Sequence, residues 1–200
     1  EVSQDDGYWV KVGEDVTLAH ADADPVNYDS DGEVEYDMHV GNNLISYPLI
    51  GDQLIGEALG DATSNVYALA SEGVAALWSS TADQWVGSLT AFESESGYWL
   101  VATNDFSFSF NSNGGSLARA AVLQEAPREV PEEFSYVQSI HQEFYFVNND
   151  ITIQGEPLDA DDIIIAYNGD QVVGSRYYNV DGYTDIPVMG ESSYIEACSK

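Results

Sequence analysis

Short segments in which apolar and polar residues alternate follow one another along most of the chain. The segments "YWVKV", "DFSFSFN", "EFYFV", "ITIQG" and "QVVGSRYY" have the length of β-strands, and turn-forming residues separate them. In "FSFSF", Phe106, Phe108 and Phe110 fall on one face of a strand, and Ser107 and Ser109 fall on the other. The pattern predicts an all-β protein made of two antiparallel β-sandwich modules.

One hairpin has a specific sequence signal. In "YNGDQVVG", Asn168 and Gly169 stand between two β-rich segments. This dipeptide favours a tight β-turn because both residues tolerate a positive φ angle. We therefore expect the two flanking strands to pair with each other.

A single segment departs from the β pattern. "GDQLIGEALGDA" places four apolar residues at helical spacing, namely Leu54, Ile55, Ala58 and Leu59. Asp52 is the candidate N-cap of this helix, and Gly60 is the residue that stops it. The sequence predicts one short helix, in the first module.

Composition and an internal repeat divide the chain. "GYWVKVGEDVTL", which begins at Gly7, returns as "GYWLVATNDFSF", which begins at Gly97. We expect a partial-repeat strand and an acidic connector in residues 1–32, a first β module in 33–118, a linker in 119–131, and a second β module in 132–200. The first copy of the repeat predicts an assembly strand, formed by Tyr8, Trp9, Val10 and Val12. We expect it to pair outside the first module, either with a neighbouring chain or with the second module.

The charge of the chain is strongly acidic. Its 200 residues include 35 acidic and 5 basic side chains, which gives a formal net charge of −30. Such a charge repels nucleic acid and anionic membrane surfaces, so neither is an expected partner. No apolar segment is long enough for membrane insertion, and the only cysteine, Cys198, cannot form an internal disulfide. The acidity fits a salty medium, binding of divalent cations, or a basic partner.

The segment "NYDSDGEVEYDM" carries the metal-binding candidates. Asn27, Asp29 and Asp31 stand at alternate positions before a glycine, as in a loop that wraps Ca²⁺, and Glu33 follows. Position 12 holds Met38 instead of a bidentate Glu, and the flanks predict strands, so an EF-hand is disfavoured. A solvated acidic connector is the favoured interpretation. A non-helical Ca²⁺ loop is the alternative, and Ca²⁺ is the one cofactor that the sequence suggests.

Two tryptophans are the candidates for stacking on a glycan. Trp78 and Trp85 flank "SSTADQ", a predicted hairpin loop, where they can either pair across strands or stack on a sugar. The clustered carboxylates of "EPLDADDIII" are interpreted as a turn that enters a strand. The three histidines are far apart, and no catalytic motif is present, so we expect no enzymatic activity.

Two long stretches resemble known modules. "VGNNLISYPL", "ASEGVAALW", "QWVGSLTAFESESGYWL" and "FSF" resemble a module found in tandem in secreted, multi-modular surface proteins of marine and other environmental bacteria. "EFYFVNNDITIQGEPLDADDIIIAYNGDQVVGSRYYNVDGYTDIPVMG" resembles a companion module of those proteins. The resemblance implies an exported, β-rich, modular protein and no defined activity. Companion modules usually continue into a further strand, so it also implies that the second module is cut short or completed from elsewhere.

These observations predict a non-enzymatic structural subunit or fragment of an extracellular or cell-surface assembly, such as a fibre, sheath or adhesin. Its expected partners are copies of itself or other surface modules, held through strand and module contacts. One alternative is a glycan- or Ca²⁺-binding module of a larger secreted adhesin or hydrolase. Another alternative is a decoration or fibre protein of a virion.

Overall fold

The computed structural model describes residues 8, 10, 12–14, 16–17, 34–94, 96–112 and 126–191. Its strands in the first part of the chain are β1 (Tyr36–Met38), β2 (Gly41–Ser46), β3 (Gln53–Leu54), β4 (Val66–Ser71), β5 (Val74–Ser79), β6 (Gln84–Gly87), β7 (Ala91–Phe92), β8 (Gly97–Ala102) and β9 (Phe106–Phe108). The later strands are β10 (Gln142–Val147), β11 (Thr152–Ile153), β12 (Glu156–Pro157), β13 (Ile163–Asn168), β14 (Gln171–Tyr177) and β15 (Thr184–Met189). Helical structure consists of α1 (Ile55–Leu59) and the 3₁₀ helices Gly60–Asn65 and Glu132–Phe134.

Antiparallel sheets dominate the structure, which confirms the all-β class. In the part of the chain that the structure describes, α1 is the one α-helix, as predicted. The largest sheet has five strands in the order β2, β8, β4, β5, β6. The pairs β1 with β9, β3 with β7, β10 with β15, β11 with β12, and β13 with β14 form separate two-stranded sheets. The arrangement of these sheets as two sandwiches stays a prediction.

The chain divides into two compact units whose boundaries differ from those expected from composition. The first unit contains residues 1–69 and 91–124, and the second contains residues 70–90 and 125–200. The sequence-based boundaries assign the whole of 33–118 to one module. The structure groups 70–90 with the C-terminal strands because polar contacts connect them: for example, the Gln142 side-chain amide donates to the Ser71 carbonyl oxygen at 3.2 Å.

Aromatic rings fill the core of the first unit. The ring of Phe110 lies 5.1 Å from the rings of Tyr47 and Phe92 and 5.4 Å from that of Tyr36, each in edge-to-face geometry. Phe108 stacks on Tyr36, also at 5.4 Å. These offset and edge-to-face contacts add to the stabilisation that burial alone provides. Two of the three phenylalanines predicted to share a face of "FSFSF", Phe108 and Phe110, therefore pack into this core.

Helix α1 forms where its periodicity predicts, but its start differs from the prediction. Ile55, Ala58 and Leu59 are buried, and Gly60 ends the helix with a φ of 52°. The prediction of Asp52 as N-cap was wrong. Strand β3 pairs with β7 and keeps the backbone extended through Leu54, so Leu54 occupies the N-cap position without a side-chain hydrogen bond. Sheet pairing therefore overrides the local capping preference.

Two antiparallel strand pairs organise the second unit. Strand β13 pairs with β14 through the predicted hairpin, and β10 pairs with β15. Asn168 pairs with Gln171, so the central residues of the turn are Gly169 and Asp170, with a φ of 62° at Gly169. This places glycine where a type II′ turn requires a positive φ.

Candidate functional site

Strand β13 has a strongly β-prone sequence, and among the described strands it is paired on one side. Its sequence IIIAYN begins with three β-branched residues, all of them half-buried. Among the described residues its hydrogen-bonded neighbour is β14 alone. Tyr167, on the same strand, is 56% exposed. A strand with one neighbour presents a row of backbone N–H and C=O groups to which another chain can pair.

Acidic residues flank this strand at its start. The Asp162 carboxylate accepts the backbone N–H of Asp159 at 2.7 Å, and the Asp159 carboxylate accepts that of Asp161 at 2.8 Å. These bonds build the turn that was predicted for "EPLDADDIII". Charges next to an edge strand disfavour nonspecific pairing with other chains. The carboxylates of this turn lie next to the start of β13, where they have that effect.

One face of the β13–β14 hairpin is covered by the preceding segment of the chain. Tyr177 stands opposite Ile163 in the register, and the Arg128 guanidinium lies 3.7 Å from the centre of its ring. Arg128 also pairs with Asp161 at 2.9 Å, on the exposed surface. Farther along β14, the Ser175 hydroxyl donates to the Phe134 carbonyl oxygen at 2.7 Å. The contacts hold residues 126–135 against this face of the hairpin.

The opposite face carries a buried ion pair. Arg176 on β14 and Asp185 on β15 lie 3.4 Å apart, and their side chains are 10% and 3% exposed. The Arg176 Nε–H also donates to the backbone oxygen of Asp185 at 2.9 Å, and its Nη2 donates to the Gly73 carbonyl oxygen. The pair therefore joins β14, β15 and the turn before β5.

Asp185 is the point at which segment 70–90 joins the C-terminal strands. Its carboxylate accepts the Ala75 backbone N–H at 3.2 Å and the Ser88 hydroxyl at 2.5 Å, in addition to the Arg176 guanidinium. A buried carboxylate needs such donors, because leaving it unpaired costs several kcal/mol. The arrangement explains why 70–90 belongs to the second unit.

Burial raises the pKa of the Asp185 carboxyl above its ordinary value of 3.8, although Arg176 and the donors of Ser88 and Ala75 act in the opposite direction. The folded chain therefore binds this proton more tightly than the unfolded chain does. The contribution of Asp185 to stability is greatest below its unfolded-state pKa and falls as the pH rises through its folded-state pKa.

We predict that the urea midpoint of the wild-type chain falls more steeply as the pH rises above about 4 than that of Asp185→Asn, which has no carboxyl to titrate. The asparagine oxygen still accepts hydrogen bonds from Ala75 and Ser88. Repulsion among the other acidic groups is common to both proteins, so the difference in slope reports Asp185. Carbon-13 NMR of the Asp185 carboxyl provides the direct check, and a midpoint at or below 3.8 contradicts the prediction.

The two candidate stacking tryptophans contact each other. Trp78 on β5 stands directly opposite Trp85 on β6, and the rings are 5.6 Å apart with an interplanar angle of 68°. The predicted hairpin between them is confirmed. Edge-to-face rings do not share one plane, so the geometry favours cross-strand pairing over a flat platform for a sugar. A role in glycan stacking stays a prediction.

The remaining candidates of the N-terminal region are only partly covered by the structure. The metal-ligand set Asn27, Asp29, Asp31 and Glu33 lies outside the described residues, as does Trp9 of the assembly strand. Tyr8, Val10 and Val12 are exposed and are described outside any strand. Within the described ranges no group of three or more His, Cys, Asp or Glu side chains is placed to hold a metal ion.

Comparison with protein-family models, with curated proteins and with solved structures finds no match to this chain. The resemblance to tandem surface modules therefore stays a prediction. No helix in the described part of the chain is long and apolar enough to cross a membrane.

Sequence reasoning missed the Arg176–Asp185 pair, although the chain carries a signal for it. Arg176 is one of only 5 basic residues, and it stands inside the β-prone segment "QVVGSRYY". Asp185 directly precedes the apolar segment "IPVM" in the same predicted strand. Opposite charges placed in two apolar strands indicate a buried pair, because neither side chain is stable there alone.

Proposed function

We propose that this chain is a non-enzymatic structural module of an extracellular or cell-surface assembly, in which neighbouring chains join by strand addition at β13. The observation that carries the proposal is that β13, which begins with three isoleucines, hydrogen-bonds to a single neighbour among the described strands. In strand addition, the unpaired backbone groups of an edge strand form hydrogen bonds with the added strand. The side chains next to the edge provide the specificity.

The charge of the chain indicates the salt concentrations at which such an assembly is favoured. Copies that each carry a formal charge of −30 repel one another at low ionic strength. The screening length falls from about 30 Å at 0.01 M salt to about 3 Å at 1 M salt. Contacts between copies are therefore favoured in a salty medium, which is one of the settings that the composition fits.

The role of β13 in association between chains can be tested with a pair of matched variants. Tyr167 on β13 is 56% exposed, and Tyr67 on β4, which has strand neighbours on both sides, is 55% exposed. Replacing either residue with Asp adds one negative charge at a comparably exposed position. We expect wild-type and Tyr67→Asp chains to form oligomers as salt is raised, and Tyr167→Asp to remain monomeric or to need considerably more salt, because its new charge lies at the pairing edge.

Light scattering across a salt titration measures the effect, and electron microscopy of the high-salt samples shows whether the oligomers are ordered. A wild-type chain that remains monomeric at every salt concentration contradicts the proposal. So does equal behaviour of the two variants, since association would then not involve β13.

A further inference from the structure

A cleft in the first unit is not used by the proposed assembly. It has a volume of about 490 Å³ and lies between the 3₁₀ helix Gly60–Asn65 on one side and strand β9, with the residues that follow it, on the other. The volume lies within the range of small-molecule sites, which is about 300–1,000 Å³.

Both walls of the cleft carry polar side chains that the fold does not use. Asp61 and Asn65 line it from the helix, and Ser109 lines it from the opposite side. The Asn65 carbonyl oxygen accepts hydrogen bonds from Thr103, but its side-chain amide makes none to any described residue. The side chains of Asp61 and Ser109 also have no hydrogen-bond partner in the described part of the chain. A carboxylate, an amide and a hydroxyl together offer both donors and acceptors to a ligand.

An aromatic ring lies beside these groups. Phe106 lines the cleft and is half-buried, and its ring stacks on Phe108 at 5.7 Å with an interplanar angle of 29°. Phe108 in turn packs against the buried aromatic core at Phe110 and Tyr36. The stack restricts rotation of the Phe106 ring, so a ligand that packs on this ring does not have to order the side chain.

We propose that this cleft binds a neutral saccharide. A pyranose ring carries hydroxyl groups that both donate and accept, and these match Asp61, Asn65 and Ser109. Its opposite face consists of C–H groups, which pack on the electron-rich face of an aromatic ring such as Phe106. The carboxylate of Asp61 and the formal charge of −30 disfavour uronic acids and sulfated sugars.

Binding is tested with a panel of neutral trisaccharides, namely cellotriose, maltotriose, laminaritriose, mannotriose and chitotriose. Saturation-transfer NMR identifies binders, and calorimetric titration measures their affinity. Both use low salt, at which the chains repel one another, so the outcome does not depend on assembly. We expect at least one neutral trisaccharide to bind and trigalacturonate not to bind.

Three variants locate the site. Asp61→Asn replaces a charged acceptor oxygen with an amide donor, and Asn65→Ala removes the side-chain amide. Each should weaken binding about tenfold. Phe106→Leu keeps an apolar side chain but removes the ring face, and should weaken binding by a similar factor. The matched control is Glu57→Gln, which removes one charge from the neighbouring helix α1 at an exposed position outside the cleft.

Thermal unfolding of each variant verifies that the fold is intact before affinity is compared. The proposal is overturned if no trisaccharide in the panel binds. It is equally overturned if trigalacturonate binds as well as the neutral sugars do, or if folded variants at Asp61, Asn65 and Phe106 all bind like the Glu57→Gln control.

Discussion

Replacing Arg176 with Met should lower the free energy of unfolding by about 3–5 kcal/mol, because it leaves the Asp185 carboxylate buried without a countercharge. The side chains of the pair are 10% and 3% exposed, so water cannot replace the lost guanidinium. The loss should shrink toward acid pH, where Asp185 takes up a proton and becomes neutral. Urea unfolding at neutral and at acid pH measures both effects.

Two comparisons separate the lost charge from the lost packing. Combining Arg176→Met with Asp185→Asn should recover much of the stability, because no unpaired charge then remains and the asparagine still accepts from Ala75 and Ser88. Arg128→Met provides the matched surface control, since Arg128 pairs with Asp161 at side-chain exposures of 55% and 84%. It should lower the urea midpoint far less than Arg176→Met does, because the Arg128 ion pair is exposed. Equal losses from Arg176→Met and Arg128→Met would argue against a special role for the buried pair.

The second large effect is expected at Gly174, where β14 lies close to the backbone of β15. A Cβ atom at this position would overlap the carbonyl oxygen of Pro187 and would lie 2.8 Å from its carbonyl carbon. These are backbone atoms, so no side-chain rotation relieves the overlap. We expect Gly174→Ala to destabilise the protein by about 3 kcal/mol or more, at the upper end of overpacking effects.

The control for this substitution is Gly97→Ala in strand β8. A Cβ atom at Gly97 would meet the Ile45 carbonyl oxygen at 3.7 Å, which is ordinary van der Waals contact. Its effect should stay within about 0.5 kcal/mol. Urea unfolding of the two variants side by side checks the prediction. If Gly174→Ala is as stable as Gly97→Ala, the close approach of β14 to Pro187 is not a feature of the protein in solution.

Features that depend on neighbours in the sequence were predictable. The turn at Gly169 follows from the rarity of positive φ angles in other residues, and the shared face of Phe106 and Phe108 follows from the two-residue period of a strand. The end of α1 at Gly60 follows from the same preference of glycine. In each case the deciding interaction lies within a few residues of the signal.

Features that depend on distant residues were not predictable in the same way. The N-cap of α1 is Leu54 and not the predicted Asp52, because β3 pairs with β7, a strand far along the chain. The contacts that join 70–90 to the second unit include those of Asp185, which is 110 residues from Ala75 and 97 from Ser88. Alternation within a segment shows which face is buried, but it does not show which partner buries it.

The discontinuous second unit has a consequence for synthesis. The ribosome synthesises β5 and β6 before it reaches Asp185. The Ser88 hydroxyl can therefore form its hydrogen bond to Asp185 only after 97 further residues have been added. A nascent chain that stops in the linker therefore carries this hairpin without the carboxylate that anchors it. The two modules can be transferred between proteins only together, because a cut at the linker removes the hairpin from the strands that hold it.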